Sequence, residues 1–265
     1  MKQHFQILNG STLKILAMIF MVIDHIAAYL IPKDYFLYIP MRFIGRLSFP
    51  IFAFLIVEGI RYSKKPIKYL SQLLILSVIV DIFTFIFLKE YFGNVLTTFF
   101  ISGTIMLLLE RAKKYYKLLA IFPFIIGLLT GFSFFPLRMQ YGPYGMITVL
   151  LFYCGFKLTQ KIINIFTNNS EKYNEYFNFT LYYVLIGSLL NVCFTTLCSV
   201  FSFELNNILS ANDVDFFFQS YGALSSLILI FYSGKRGINN KYFKWGCYVF
   251  FPLHFIIIYL IGLLV

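Results

Sequence analysis

Leu13-Lys-Ile-Leu-Ala-Met-Ile-Phe-Met-Val-Ile-Asp24-His25-Ile-Ala-Ala-Tyr-Leu30 is an apolar run of membrane-crossing length with an acid and a base set inside it. A helix needs about 20 such residues to cross the hydrocarbon of a bilayer. An ionised side chain at that depth costs about 2.5–3.5 kcal/mol on insertion scales, so it serves a site, a pathway or a packed partner. The next apolar stretch repeats the pattern: Gly45-Arg46-Leu-Ser-Phe-Pro50-Ile-Phe-Ala-Phe-Leu-Ile-Val-Glu58-Gly59 carries Arg46 and Glu58.

The rest of the chain reads as these two runs do. Its 265 residues are 60% hydrophobic and only 12% charged, with a mean hydropathy of +0.79, where a soluble domain is nearer a quarter charged. The expected fold is an all-α polytopic helical bundle embedded in the lipid bilayer. A net charge of +11 would suggest nucleic acid in a soluble protein. Here the basic residues sit in short loops between apolar runs, the pattern of membrane topology and anionic-lipid contact, so nucleic acid is not an expected partner. The first run lacks a small-residue cleavage site and is read as a retained span. Cys154, Cys193, Cys198 and Cys247 all fall in expected spans, without CxxC spacing or clustered histidines. They are read as packing residues, with neither a disulfide framework nor a metal site expected.

Hydropathy places about nine spans, at 12–31, 42–61, 67–88, 94–110, 117–134, 141–163, 179–203, 215–233 and 245–264. The fourth and fifth are short enough to tilt or re-enter. The loops sort by charge into alternating sets. One set holds Arg61, Lys64, Lys65 and Lys68; Arg111, Lys113, Lys114 and Lys117; Lys157, Lys161 and Lys172; and Lys235, Arg236, Lys241 and Lys244. The other is poor in cations and includes Glu204 and Asp213. The positive-inside rule then puts the N-terminus in the cytoplasm and the C-terminus outside. There is no internal repeat, and a polar linker near 165–178 does not divide the single domain expected over 1–265.

Ionisable residues within the spans are the candidate site. His25 lies roughly 20 Å beyond the cytoplasmic start of its helix. An imidazole with a pKa near 6.5 can take and return a proton at neutral pH, as general-base catalysis requires. Asp24 points about 100° away from it on a helix, so the two need not form a dyad. Arg42 and Arg46 are four apart and share a helix face. An Asp24–Arg46 ion pair is geometrically open to them, either as structure or as a holder of an anionic group, while Arg42 is placed to snorkel to the interface. Glu58 can pair with Arg61 or Lys65, and Asp81 has no obvious local cation. His254 follows Pro252, which frees backbone groups one turn earlier, and is read as lining a site with Tyr248. Tyr141 and Tyr144, in Tyr141-Gly-Pro-Tyr-Gly145, stand at the outer mouth of the sixth span as interface anchors or acceptor contacts.

Taken in order, Leu13–His25, Gly45–Gly59, Tyr69-Leu70, Asn94-Val-Leu-Thr97, Tyr141–Gly145 and Tyr248-Val-Phe-Phe-Pro252-Leu-His254 resemble the TraX family, membrane proteins named for the acetylation of conjugative pilin. The chain departs from it at Arg61-Tyr62-Ser63, where the family often has His-Thr, and at Gln72, where it often has arginine. The resemblance implies a bacterial cytoplasmic-membrane acetyltransferase that draws on acetyl-CoA and acetylates a peptide N-terminus or a glycan. In that scheme His25 is the general base, with Asp24 and Arg46 catalytic and Arg42, Glu58, Tyr141, Tyr144, Tyr248 and His254 around the acceptor. Lys64, Lys65 and Lys68 would hold the CoA phosphates. The alternatives are a transporter or flippase with an Asp/His/Arg-lined path, and a scaffold without catalysis. Oligomeric state is not encoded in any pattern of the chain.

Overall fold

The computed structural model describes residues 6–88, 93–132, 135, 137–167, 178–201, 219 and 221–264, and within them the protein is helical. The helices are α1 (Gly10–Leu30), α2 (Tyr38–Arg46), α3 (Ser48–Tyr62), α4 (Pro66–Leu88), α5 (Val95–Arg111), α6 (Ile121–Leu129), α7 (Gly142–Thr167), α8 (Phe179–Val200), α9 (Ser225–Leu229) and α10 (Lys241–Gly262). Among the described residues, six stretches are long and apolar enough to span a bilayer: α1, α2 with α3, α4, α7, α8 and α10. Ile75, Val78, Ile79 and Ile82 on α4 and Val249, Ile257 and Leu260 on α10 remain exposed, as lipid-facing side chains do.

This is a multi-span bundle, but it differs from the hydropathy reading in three places. The second span begins at Tyr38 and breaks at Leu47. Pro50 supplies the reason: it has no N–H for the carbonyl of Arg46, and its ring crowds that carbonyl. The fourth expected span, 94–110, agrees with α5 to one residue at each end, a helix about 25 Å long. The fifth is a 3-10 stretch, Lys114–Ala120, followed by the nine-residue α6. Within the eighth, the described residues form a 3-10 turn, Tyr221–Leu224, and the five-residue α9. Glu204, Asp213, Lys172 and most of the polar linker lie outside the described residues.

The helices cluster into two compact units, and α3, α7 and α8 contribute residues to both. The first unit contains Met1–Phe52, Cys154–Val192 and Phe218–Val265. In it, Asn9 caps α1 by accepting from the backbone of Ser11 and Thr12, both at 3.0 Å. Ser48 ties α3 to α1 through the carbonyl of Ala17, 2.8 Å away. α7 and α8 approach through Gly155 and Gly187, where a Cβ on Gly155 would sit 2.5 Å from the Gly187 Cα. Tyr183 packs between Phe156 and Phe179 in the same region.

The second unit contains Ala53–Tyr153 and Cys193–Phe217. Its polar knot is Asn94. The side-chain oxygen caps α5 at Leu96 N (2.8 Å), and the amide donates to Ser77 O (3.0 Å) and Asp81 Oδ1 (2.7 Å). Ser77 and Thr97 share a hydroxyl hydrogen bond of 2.6 Å, so α4 and α5 are joined without a charged pair. Ile101, Ile105, Ala120, Met139 and Met146 form an apolar core beside them.

Candidate active site

Two networks flank the middle of α1, one on each side of the Asp24–His25 bond. Asp24 faces α2. Its Oδ1 lies 3.0 Å from Nη1 of Arg42, and its Oδ2 lies 3.0 Å from Nη2 of Arg46. Arg46 also reaches Oδ1 at 3.1 Å, so its grip on the carboxylate is bifurcated. Arg42, expected to snorkel, is instead turned in on Asp24. Burial raises the stakes of this arrangement, because the side chains of Arg46 and Asp24 are only 9% and 10% exposed. Removing one partner from such a pair leaves a desolvated charge. Gly45 makes the approach possible: any Cβ there would run into the side chain of Asp24. Two guanidinium groups face the one carboxylate of Asp24, and both lie within electrostatic reach of His25.

His25 faces α10. Its Nδ1 is 2.8 Å from Nε2 of His254, and the rings stack with centroids 5.0 Å apart and an 11° tilt. Nδ1 of His254 is in turn 3.0 Å from the carbonyl oxygen of Phe250. A carbonyl only accepts, so Nδ1 of neutral His254 carries the hydrogen and its Nε2 presents a lone pair. Nδ1 of His25 must then donate to that lone pair. The tautomer that follows leaves Nε2 of His25 unprotonated, and among the described residues that nitrogen has no hydrogen-bond partner. Phe255, 4.5 Å from the His25 ring, and Tyr29, 6.0 Å from it, enclose the pair. Phe250 stacks on His254.

The structure thus brings together Asp24, His25, Arg42, Arg46 and His254. Tyr248 lies two turns before Phe255 on α10, with the Lys244 ammonium 5.7 Å from its ring centroid. Glu58, Tyr141, Tyr144, Lys64, Lys65 and Lys68 belong to the second unit. Glu58 is buried and pairs with Arg61. Tyr141 holds a left-handed backbone, φ 65°, just ahead of α7. Tyr144 is buried and stacks on Phe194. The three lysines are exposed around the start of α4. The sequence reading passed over Tyr29 and Phe250, although each stands four residues from a histidine, the spacing that puts helical neighbours on one face. Among the described residues, no group of three His, Cys, Asp or Glu side chains gathers as a metal would need.

Residues 9–262, nearly the whole chain and all of both networks, match the family described as TraX protein. The chain belongs to the TraX family. TraX proteins are multi-pass inner-membrane proteins generally linked to acetylation, with the character of acyltransferases. Two curated relatives share stretches of the sequence. The probable fimbrial assembly protein FimC, serogroup H1, of Dichelobacter nodosus is 32% identical over 153 residues, covering 52% of this chain and 59% of the relative. An uncharacterized protein of Rickettsia prowazekii is 35% identical over 109 residues, 34% of this chain and 40% of the relative. The chain therefore spans about half the length of the curated relatives it matches. No solved structure matches it.

Proposed function

We propose that this TraX protein is an integral membrane acetyltransferase. It moves the acetyl group of cytosolic acetyl-CoA to an amine or hydroxyl acceptor at or beyond the outer face, with the N-terminus cytoplasmic. The observation that carries the reading is the His25–His254 hydrogen bond, whose tautomer leaves Nε2 of His25 as a base within an apolar enclosure.

The chemistry follows from that lone pair. Nε2 of His25 takes the proton from the acceptor N–H or O–H as the acceptor atom bonds to the thioester carbonyl carbon. The negative charge that develops on the carbonyl oxygen is stabilised by the guanidinium groups of Arg42 and Arg46. Collapse breaks the C–S bond, and the departing CoA sulfur receives the proton held by His25. His254 accepts the His25 Nδ1 hydrogen throughout, which keeps the ring in one orientation. Asp24 acts through the arginines: it fixes both guanidinium groups and takes no proton.

The test is acetyl-CoA binding and thiol release by the purified, solubilised protein, beside His25→Ala. Saturable binding kept in His25→Ala, with turnover lost, is the expected result. No binding by well-folded wild type, or wild-type turnover in His25→Ala, would overturn the reading. The relative named for fimbrial assembly makes a fimbrial subunit the first acceptor to supply.

A further inference from the structure

Lys14, Arg236 and Lys244 come from separate parts of the chain, yet Lys14 lies within electrostatic reach of the other two. Among the described residues none of the three forms an ion pair. Like charges gathered without an acid repel one another, so the fold must hold them there. It does so through the loop between α9 and α10. Leu8 donates to the Phe231 carbonyl (2.9 Å), Ser233 to that of Leu8 (2.7 Å) and Gly10 to that of Lys235 (2.8 Å). The Ser11 hydroxyl reaches the carbonyls of Arg236 and Ile238 at 3.2 and 3.0 Å. Gly237 has φ 77°, and a Cβ there would run into the Asn9 cap, so glycine alone lets the loop pass this close. One loop thereby fastens the start of α1 beside the start of α10, which Asn240 caps.

The register of the two helices ties this cluster to the histidines. Eleven residues separate Lys14 from His25, a rotation within about 20° of full turns and a rise of about 16 Å. Lys14 and His25 therefore share one face of α1. Cys247 and His254, seven apart, likewise share a face of α10 to within about 20°, and Cys247 lies in the electrostatic neighbourhood of Lys14. The faces that meet at His25 and His254 carry Lys14 and Cys247, within electrostatic reach of each other, toward the helix starts, so one end of the seam is basic and the other imidazole. Between the thioester sulfur and the phosphate ester of CoA run about twelve bonds, four peptide lengths, or about 14 Å when extended.

We propose that Lys14, Arg236 and Lys244 form the phosphate-binding end of an acyl-CoA site that runs along the α1–α10 seam to His25. This rests on the acetyltransferase reading and moves the donor contact away from Lys64, Lys65 and Lys68. Clustered phosphate is the chemistry recognised. An anionic lipid headgroup offers the same chemistry, but the match of seam to pantetheine arm selects the soluble thioester.

The experiment measures equilibrium binding of CoA and of adenosine 3′,5′-bisphosphate to the full chain in phosphatidylcholine nanodiscs, with and without phosphatidylglycerol. Arg236→Gln, Lys244→Gln and Lys14→Gln should each weaken CoA by about tenfold or more, the scale of a lost charge-assisted hydrogen bond. Lys64→Ala/Lys65→Ala should bind as wild type does, and adenosine 3′,5′-bisphosphate should compete. Arg236 and Lys244 are exposed, so their variants test the site without threatening the fold. CoA binding left intact in all three variants overturns this site and leaves the acetyltransferase standing. Absence of CoA binding in wild type overturns both. Phosphatidylglycerol retained by wild type but not by the variants, with CoA binding unchanged among them, assigns the cations to lipid and overturns the proposal.

Discussion

His254→Phe isolates the claim that one histidine sets the tautomer of another. Phenylalanine keeps the stacking on Phe250 and His25 but removes the acceptor 2.8 Å from Nδ1 of His25. A buried N–H left without a partner costs about 1–3 kcal/mol. The imidazole escapes that cost by carrying its hydrogen on Nε2 instead, the form that cannot act as a base. The active tautomer should fall by the same free energy, which lowers turnover about 5- to 150-fold. His25→Ala, which removes the proposed general base itself, should cost about 10²- to 10⁴-fold. The double variant should be no slower than His25→Ala, because there is no ring left to orient. His254→Gln, whose amide oxygen can accept the same hydrogen, should recover part of the loss. CoA thiol release gives the rates, and ¹⁵N spectra of histidine-labelled protein give the tautomer directly. With 3 histidines in the chain, single variants assign the signals. Wild-type turnover in His254→Phe, with hydrogen still on Nδ1 of His25, would refute the reasoning.

Three further outcomes follow from packing. Asp24→Asn should destabilise the solubilised protein by about 3–5 kcal/mol, since two guanidinium groups lose their carboxylate; Asp24→Leu with Arg42→Met and Arg46→Met should restore most of it in thermal melts. Gly45→Ala should cost about 1–3 kcal/mol by driving a methyl group into Asp24, and an unchanged melting temperature would show that α2 does not sit as close as described. Asn94→Ala should cost about 2 kcal/mol from the lost cap and its buried bonds. Hydrogen exchange at the Leu96 and Thr97 amides should rise first, and exchange unchanged from wild type would contradict the cap.

The sequence was informative where chemistry interrupts a pattern. Asp24 and His25 stand out because an apolar helix has no use for them, and the four-residue spacing of Arg42 and Arg46 was enough to offer a partner for Asp24. The partner of His25 was invisible, because 229 residues separate it from His254 and no local period links them. Hydropathy missed local backbone form for a different reason. It sums side-chain transfer and says nothing of backbone hydrogen bonding, so the apolar stretch near 117–134 reads as a span although its first turns are 3-10. The break at Leu47 follows from Pro50, but a proline in the first turn of a helix removes no intrahelical hydrogen bond and so also marks an ordinary start. Lys14 was hidden in plain view: one lysine in an apolar run reads as a snorkelling side chain until Arg236 and Lys244 appear beside it.

The adjacency of Asp24 and His25 invites a dyad, and the helix forbids one. Successive side chains diverge by about 100°, so a carboxylate and an imidazole joined in sequence must look to different helices. α1 uses that divergence to keep two functions apart. The Asp24 side binds α2 and concentrates positive charge; the His25 side binds α10 and holds a base. Had Asp24 reached His25, it would have favoured the imidazolium, which can take no proton from an acceptor. Sequestering the carboxylate with Arg42 and Arg46 removes that influence and, in the proposed mechanism, makes the same acid the anchor of the guanidinium groups that face the oxyanion. The backbone between positions 24 and 25 thus keeps the proposed base and the arginine-bound carboxylate both in register and chemically distinct.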